Sequence, residues 1–426
     1  MGRQTERFDE PKGVGMHGPL RTPSDRALAP ACGKRYSTWM ALERKILDER
    51  VDAHAPRVIE VARKIHENPE LRFAEHRASR WISDAASLPG VEIERGVAGL
   101  DTAFRARIGS GRPKIAILAE YDALPDIGHA CGHNLIAGGA LGAFLALSSV
   151  REKIGGTIEL IGTPAEEGGG DKIRLIEAGV FRDVDAAMMF HPFDRDLVAH
   201  ITLAFTHFEM VFLGRPSHAA LAPWDGASAL TACMETFRLI DGQRVHMRDG
   251  VRVHGFITEG GKASNIVPER ASCEFSVRAT TDEELERVGA IVERCARAAA
   301  LAADVKVAIR AERGYRPMKN NMTMARRFGA HLSELGRSPK ERDADVGAGS
   351  TDMGDVSQVV PAIHPWLQIC DTGKTTCHQR EFAACAASSR GFDTMLVAAK
   401  AMARMALDLI EDPALLEAVR SEFRAT

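Results

Sequence analysis

Four separate segments of this chain carry side chains of the types that bind transition metals. Zinc and its first-row neighbours take thiolate, imidazole and carboxylate ligands. Each segment offers at least one of these groups. They are Cys131 and His133 in the stretch HACGH, the acidic pair Glu166 and Glu167, His191, and the neighbours Cys377 and His378. The combination predicts a site for a pair of divalent metal ions.

Cys131 and His133 are two residues apart at a turn that enters an apolar helix, so both can point into one pocket. A thiolate can bridge two cations, and the positive end of the helix would lower the pKa of the Cys131 thiol. His191 and His378 could then each complete the coordination of one metal ion.

Glu166 and Glu167 need different roles. Adjacent residues in an extended turn point in opposite directions, so we expect one carboxylate to bind metal and the other to stand beside a water molecule. The second carboxylate would take a proton from that water and pass it to a leaving amine. The metal ions would lower the pKa of the water and polarise a scissile carbonyl.

Some of these residues, taken alone, have simpler roles. A cysteine such as Cys131 is commonly a small buried hydrophobic residue. His129 has no partner that requires it to bind metal, so it is expected to shape the loop. Cys377 diverges from its neighbour His378, which favours a structural thiol. The glycine run at 168–170 lacks the Lys-Ser/Thr of a phosphate-binding loop and leaves room for substrate.

The elements that must position these residues alternate between strands and helices. Short apolar runs at 114–121, 156–163, 185–190 and 365–370 are predicted strands, and 134–150 and 172–180 are predicted helices. This alternation predicts an α/β fold with a mostly parallel sheet sandwiched by helices. Because ligands bind outside the carboxyl ends of the strands in such sheets, the residues that follow the four strands should meet at one edge.

The pattern changes between about residue 200 and residue 312. Strands that alternate like half-exposed ones (207–214 and 272–280) and amphipathic helices (227–240 and 283–303) predict a smaller inserted α+β domain. We therefore expect a catalytic metal-binding domain at 40–203 and 313–426, and a lid and dimerisation domain at 204–312. Residues 1–39 lack apolar periodicity and are expected to form a disordered extension, with Met40 as an alternative start of the protein.

The bulk composition excludes several classes of protein. The chain has 426 residues, a formal net charge of -3 and 27% charged residues, which disfavours nucleic acid or a membrane as its main partner. It has no apolar stretch long enough for a membrane span and no apolar signal region at its start. Its 8 cysteines are scattered rather than arranged as a disulfide scaffold. We expect a cytoplasmic protein.

Five features occurring in this order resemble one enzyme family. They are HACGHN, GTPAEEGGG, the histidine of FHP, the segment GRPSHAALAPWDGASAL, and a late histidine after a strand. From about residue 45 to the end, the chain resembles the dinuclear metallohydrolases related to carboxypeptidase G and aminoacylase. It is most similar to the branch that contains hippurate hydrolase, auxin-conjugate amidohydrolases and aminobenzoyl-glutamate hydrolase.

The resemblance assigns a role to each matching position. The implied metal ligands are Cys131, His133, Glu167, His191 and His378. Glu166 matches the catalytic base, and Asp122 matches an acid that supports the metal site. His218 matches a lid histidine that reaches across a dimer interface to stabilise the oxyanion, and Asn265 matches a lid residue that holds substrate. The resemblance thus implies a homodimer or a larger homo-oligomer.

The implied enzyme is a metal-dependent amidohydrolase with two divalent ions, zinc or manganese, with cobalt as a third candidate. Its substrate would be a small amide with a free carboxylate: an N-acyl amino acid, an aminobenzoyl-glutamate-like conjugate or a dipeptide. Asn134 and the stretch Ser350-Thr351-Asp352 depart from the branch pattern and favour the aminobenzoyl-glutamate and dipeptidase side. The alternatives are a deacetylase or N-carbamoyl amidohydrolase, and a non-catalytic metal- or ligand-binding protein.

Overall fold

The computed structural model describes residues 31–425, with side chains from Glu43 onward. The chain divides into two compact units, Met1–Arg44 and Lys45–Thr426, and the features below belong to the second. Most of the predicted disordered extension, residues 1–30, lies outside the described residues. The prediction is wrong for residues 31–39, which belong to a helix that extends over Ala31–Glu67. No proline interrupts this segment before Pro56, so the helical pattern continues upstream of Met40.

The described residues form the following elements in chain order. The helices are α1 (Ala31–Glu67), α2 (His76–Ala86), α3 (His133–Ser148), α4 (Asp171–Glu177), α5 (Ala229–Gln243), α6 (Asp282–Ala302), α7 (Met322–Glu334), α8 (Met353–Val359), α9 (Arg380–Ala386), α10 (Ser389–Glu411) and α11 (Pro413–Ala425). The strands are β1 (Glu92–Arg95), β2 (Phe104–Gly109), β3 (Lys114–Ala119), β4 (Thr157–Gly162), β5 (Ala186–Met188), β6 (His191–Phe193), β7 (Ala204–Leu213), β8 (Arg252–Glu259), β9 (Arg270–Ala279), β10 (Lys306–Arg313), β11 (Ala362–Ile363) and β12 (Trp366–Gln368).

A six-stranded sheet with the order β1-β2-β4-β3-β5-β11 forms the first layer. The pairs β3–β4, β3–β5 and β5–β11 are parallel, whereas β1–β2 and β2–β4 are antiparallel. Every residue of β4 is buried, which explains its continuous apolar pattern, since a central strand is covered on both faces. The predicted α/β fold is confirmed, with two antiparallel strands added at one edge.

The close packing of α3 fixes the position of the first metal-binding motif. All 16 residues of α3 are buried. A Cβ atom at Gly138 would lie 2.3 Å from Met395 Sδ of α10, and one at Gly139 would lie 2.4 Å from Phe190 Cε1. These glycines let the neighbouring side chains approach the helix backbone. The helix is therefore held tightly, with His133 at its first position.

The inserted segment forms a four-stranded antiparallel sheet with the order β10-β7-β9-β8. Its core includes Phe208 and Phe212 of β7, Val277 of β9, and Val288 and Val292 of α6. The start and end of the segment lie side by side, because Phe205 N donates to Tyr315 O at 3.2 Å and Gly314 N donates to Phe205 O at 3.0 Å. The exact domain boundaries stay predictions.

The last predicted strand does not join the six-stranded sheet, contrary to our expectation of a single edge. Residues 362–363 form β11 of that sheet, and Pro365 follows, which cannot donate a backbone hydrogen bond. The chain then turns, and β12 pairs in parallel with β6 as a separate two-stranded sheet. His378 consequently reaches the site from a loop. Among residues 31–425, no helix has the length and apolar character needed to cross a bilayer.

Candidate metal centre and active-site cavity

The structure brings together all five side chains that were predicted to bind metal. They form two groups in which the ligand atoms lie within 4.8 Å of one another: Cys131 with His133 and His191, and Cys131 with Glu167 and His378. Because Cys131 belongs to both groups, its thiolate could bridge two cations. The sequence pattern therefore located a three-dimensional cluster that extends from residue 131 to residue 378.

Local backbone geometry aims these side chains at each other. Gly132 has a φ of 79° and turns the chain into α3, so that Cys131 and His133 face one side. Cys131 Sγ lies 3.4 Å from His191 Nε2. His191 Nδ1 is 2.7 Å from the carbonyl oxygen of Pro192, which favours the tautomer with a free Nε2 lone pair. His378, at a φ of 69°, places Nε2 3.4 Å from Glu167 Oε1.

The donor atoms fit divalent cations. His133 Nε2 and Glu167 Oε1 are buried and have no hydrogen-bond partner within the described part of the chain. A buried polar atom without a partner costs roughly 1–3 kcal/mol. A thiolate, three imidazoles and a carboxylate converging on such atoms make a donor set that suits zinc or manganese.

Asp122 orients two of these side chains. Its Oδ1 accepts a hydrogen bond from His133 Nδ1, and its Oδ2 accepts one from the backbone N–H of Glu167, each at 2.9 Å. Burial alone would raise the pKa of Asp122, but the adjacent His133 ring outweighs burial and lowers that pKa. The carboxylate thus stays ionised and directs His133 Nε2 toward the cluster.

Glu166 and Glu167 do not diverge as we expected. Their carboxylate oxygens lie 3.9 Å and 4.0 Å from His133 Nε2. Ala165 has a φ of 56°, and Gly168 N donates to Glu166 O at 2.7 Å, so the loop is a tight turn rather than an extended segment. Burial raises the pKa of Glu166, and the nearby carboxylates of Glu120 and Glu167 raise it further. Such a carboxyl group is suited to exchanging protons near neutral pH.

A cavity of about 790 Å³ opens over the cluster and includes Phe193, Phe205 and Trp366 in its lining. Arg278 of β9 lines the same cavity. Its guanidinium group lies 5.4 Å from the centre of the Phe205 ring and donates to Ser350 Oγ at 3.1 Å. Burial lowers the pKa of Arg278, and none of the described acidic side chains forms an ion pair with it.

Sequence reasoning missed several residues around the cluster. Tyr315, beyond the end of the inserted segment, donates its hydroxyl proton to Glu166 O and accepts from Gly168 N. The buried set Glu120, Lys172 and Asp352 also adjoins Glu166. Glu120 stands two residues before Asp122 at a strand end, and this spacing was the one available signal. Arg278 lies 112 residues from Glu166 along the chain and carried no signal.

Comparison with known proteins identifies the family. Residues 116–408 match the sequence profile of peptidase family M20/M25/M40. The chain belongs to this family. It is 37% identical to the Xaa-Arg dipeptidase of Mus musculus over 410 residues, which cover 92% of this chain and 94% of the mouse protein. It is 27% identical to a subunit of the p-aminobenzoyl-glutamate hydrolase of Escherichia coli, covering 89% of this chain and 94% of the bacterial protein.

A solved structure supports the same fold. A Bacillus subtilis protein described as a dinuclear metal-binding peptidase of the M20 family superimposes with a TM-score of 0.67 at 24% identity, covering 84% of this chain and 99% of that one. The resemblance inferred from the motifs is therefore confirmed. Like its relatives in the M20 family, this chain is a hydrolase that acts on amide bonds.

His218 and Asn265 lie outside the cavity of their own chain. Both side chains are exposed on the inserted segment, and they are neighbours, since Ala219 N donates to Asn265 O at 3.0 Å. His218 Nδ1 accepts hydrogen bonds from Ala220 N and Leu221 N at 3.2 Å and 3.1 Å. Their predicted roles thus require a second subunit.

Asn134 does not contact the cavity either. It is fully buried, and its Nδ2 donates to Ala386 O of α9 at 3.0 Å. This departure from the branch pattern therefore ties α3 to α9 and does not reach the substrate. His129 is buried beside the His66 ring, with 6.1 Å between ring centroids, and belongs to none of the metal-binding groups found among the described residues.

Proposed function

We propose that this protein is a metal-dependent dipeptidase that cleaves the peptide bond before a C-terminal residue with a free carboxylate. Dipeptides ending in arginine are the first candidates, because the mouse relative of that name aligns with almost the whole chain. N-acyl amino acids and aminobenzoyl-glutamate conjugates are the next substrates to compare. The observation that carries the proposal is the convergence of Glu166 and Glu167 on His133 Nε2 within a single cavity.

Two divalent ions, zinc or manganese, would be held by the side chains that form the two groups. Cys131, His133 and His191 would hold one ion, and Cys131, Glu167 and His378 the other. When bound, these ions polarise the scissile carbonyl and lower the pKa of a water molecule. The unpartnered buried atoms of His133 and Glu167 support this assignment.

Glu166 would be the general base and then the general acid. It would take a proton from the attacking water and deliver it to the nitrogen of the leaving amine. The raised pKa of its carboxyl group supports both halves of this transfer. The hydrogen bond from the Tyr315 hydroxyl to Glu166 O would keep the loop in place during the transfer.

Arg278 would bind the free carboxylate of the substrate. Its guanidinium group lies in the cavity, has no acidic partner among the described side chains, and is steered by Phe205 and Ser350. An arginine presents a planar pair of N–H donors that matches a carboxylate. This cation supports a substrate that ends in a free carboxylate over a neutral amide.

His218 and Asn265 would complete the cavity of a second copy of the chain. The inserted segment exposes large apolar side chains, among them Trp224 at 78% and Phe256 at 59%. Phe256 lies on β8, which is an edge strand of its sheet. An exposed edge with apolar side chains supports pairing between two copies. The imidazole of His218 would then stabilise the oxyanion in the partner's cavity.

The test of the base is Glu166→Gln, with Glu177→Gln on an exposed turn of α4 as the matched control. Both variants are loaded with zinc or manganese and assayed with Xaa-Arg dipeptides, N-acetyl and N-carbamoyl amino acids, and aminobenzoyl-glutamate. We expect the Glu166 variant to bind metal normally and to lose at least about 10²-fold in kcat, the lower end of a general base contribution. Near-normal turnover by this variant would contradict the assigned role. A preference for acetyl or carbamoyl substrates would instead identify a deacetylase or a carbamoylase.

The test of the shared site is complementation between two inactive variants. Glu166→Gln and His218→Ala are each purified, mixed, and allowed to exchange subunits. If His218 serves the partner's cavity, a mixed dimer contains one cavity with both native groups, and activity returns on mixing. If His218 serves its own cavity, each subunit stays defective and the mixture gains nothing.

A further inference from the structure

Lys172 is a fully buried lysine next to the cluster, and the mechanism above does not use it. Its side chain has 0% exposure, and so does that of Asp352, while Glu120 has 1%. Lys172 Nζ lies 2.5 Å from Glu120 Oε1 and 2.6 Å from Asp352 Oδ1. Its backbone N–H also donates to Asp352 Oδ2 at 3.3 Å. A single ammonium group therefore connects the end of β3, the first turn of α4 and the start of α8.

The two carboxylates that Lys172 binds lie against the proposed catalytic base. Oxygen atoms of Glu120, Glu166 and Asp352 lie within 4.8 Å of one another. Glu120 Oε2 also lies 3.7 Å from His133 Nε2. Three buried acids at this separation repel each other strongly when they are ionised, because the protein interior screens charge weakly. The ammonium group offsets this repulsion.

A third cation site and a purely stabilising ion pair both account less well for these buried groups. The three acids could bind a third cation, but the Lys172 ammonium already binds Glu120 and Asp352. A buried ion pair contributes little net stability after desolvation. Stability alone therefore does not explain a lysine, rather than an apolar side chain, beside Glu166.

We propose that Lys172 is a positioning residue for Glu166: its charge neutralises Glu120 and Asp352, and so keeps the Glu166 carboxylate directed into the cavity. Glu166 and Glu167 lie on the short loop between β4 and α4, and Lys172 fixes the far end of that loop. Without the positive charge, Glu166 would turn away from the two acids. This inference rests on the proposed role of Glu166 as the base.

The test compares Lys172→Met, the double variant Lys172→Met with Glu120→Gln, and the control Arg404→Met. Arg404 is a buried cation of α10 that donates to Asp48 and Glu334 outside the cavity. Four quantities are measured for each: the thermal unfolding temperature, the affinity for manganese by calorimetry, kcat and KM. Wild-type turnover in the same assay tests the proposed function separately, because a wild-type protein without turnover contradicts that function and not the role of Lys172.

For Lys172→Met we expect metal affinity and KM within about threefold of wild type and a fall in kcat on the order of 10²-fold, the loss typical of a reacting group misplaced by 1 Å. The double variant restores the net charge and should regain at least tenfold of the lost kcat. Arg404→Met should lower the unfolding temperature and leave kcat unchanged. The inference is overturned if Lys172→Met retains kcat, if metal affinity falls in parallel with kcat, or if the double variant regains nothing. If Lys172→Met does not fold, the double variant decides: it must fold and keep kcat within about tenfold of wild type.

Discussion

Replacing Asp122 by asparagine isolates the orientation of the metal site from the ligands themselves. Asp122 uses both oxygens as acceptors, one for His133 Nδ1 and one for Glu167 N, each at 2.9 Å. Asparagine has a single acceptor oxygen, and its amide nitrogen is a donor. In Asp122→Asn one of the two contacts therefore becomes an unfavourable contact between two donors, while the negative charge beside His133 is lost.

The expected magnitude follows from these two contacts. A hydrogen bond to a charged group contributes about 1.5–3 kcal/mol, and removing a carboxylate that orients a metal-binding histidine typically weakens metal affinity by about 10–100-fold. At 25 °C this corresponds to about 1.4–2.7 kcal/mol of binding free energy. We expect Asp122→Asn to lose metal affinity within this range, with kcat reduced by a similar factor when metal is limiting.

The assay is a calorimetric titration of the metal-free protein with zinc or manganese, together with thermal unfolding in the presence of a chelator. Asp408→Asn is the matched control, because Asp408 is also fully buried and contacts a histidine, with Oδ2 2.9 Å from His331 Nε2. The control should lower stability without changing metal affinity. Metal affinity within about twofold of wild type in Asp122→Asn would refute the orienting role. An equal loss in the control would show that the effect is a general destabilisation.

Two further predictions concern packing and the active-site loop. Gly139→Ala should destabilise the fold by about 1–3 kcal/mol in urea unfolding, as overpacking does, because its Cβ would lie 2.4 Å from Phe190 Cε1. Gly242→Ala is its control, since a Cβ there meets nothing within 4 Å; equal stability of the two variants would contradict the packing. Tyr315→Phe should lower the unfolding free energy by about 1–3 kcal/mol, because two buried backbone groups lose their partner, and should reduce kcat more than KM in steady-state assays. A change in KM alone would place Tyr315 in substrate binding instead.

Much of the fold and of the metal-binding set could be predicted from sequence. Buried strands such as β3 and β4 have continuous apolar patterns, and ligand side chains follow them directly. Both signals are local, because the burial of a central strand and the exposure of its carboxyl end depend on neighbours along the chain. The apolar run at 365–370 predicts a strand but not the sheet that it joins, because its partner is chosen by packing and not by its own pattern.

The sequence by itself determined the α/β class and which cysteine, histidine and acidic side chains gather, since residue type and strand spacing carry that information. Only the tertiary structure decided how they are supported. It turned Glu166 and Glu167 to the same side, brought Asp352 to Lys172 across 180 residues, and placed Arg278 in the cavity. It also separated His218 and Asn265 from their own cavity. These arrangements depend on contacts between distant segments, which local periodicity does not record, because the packing of whole elements sets them.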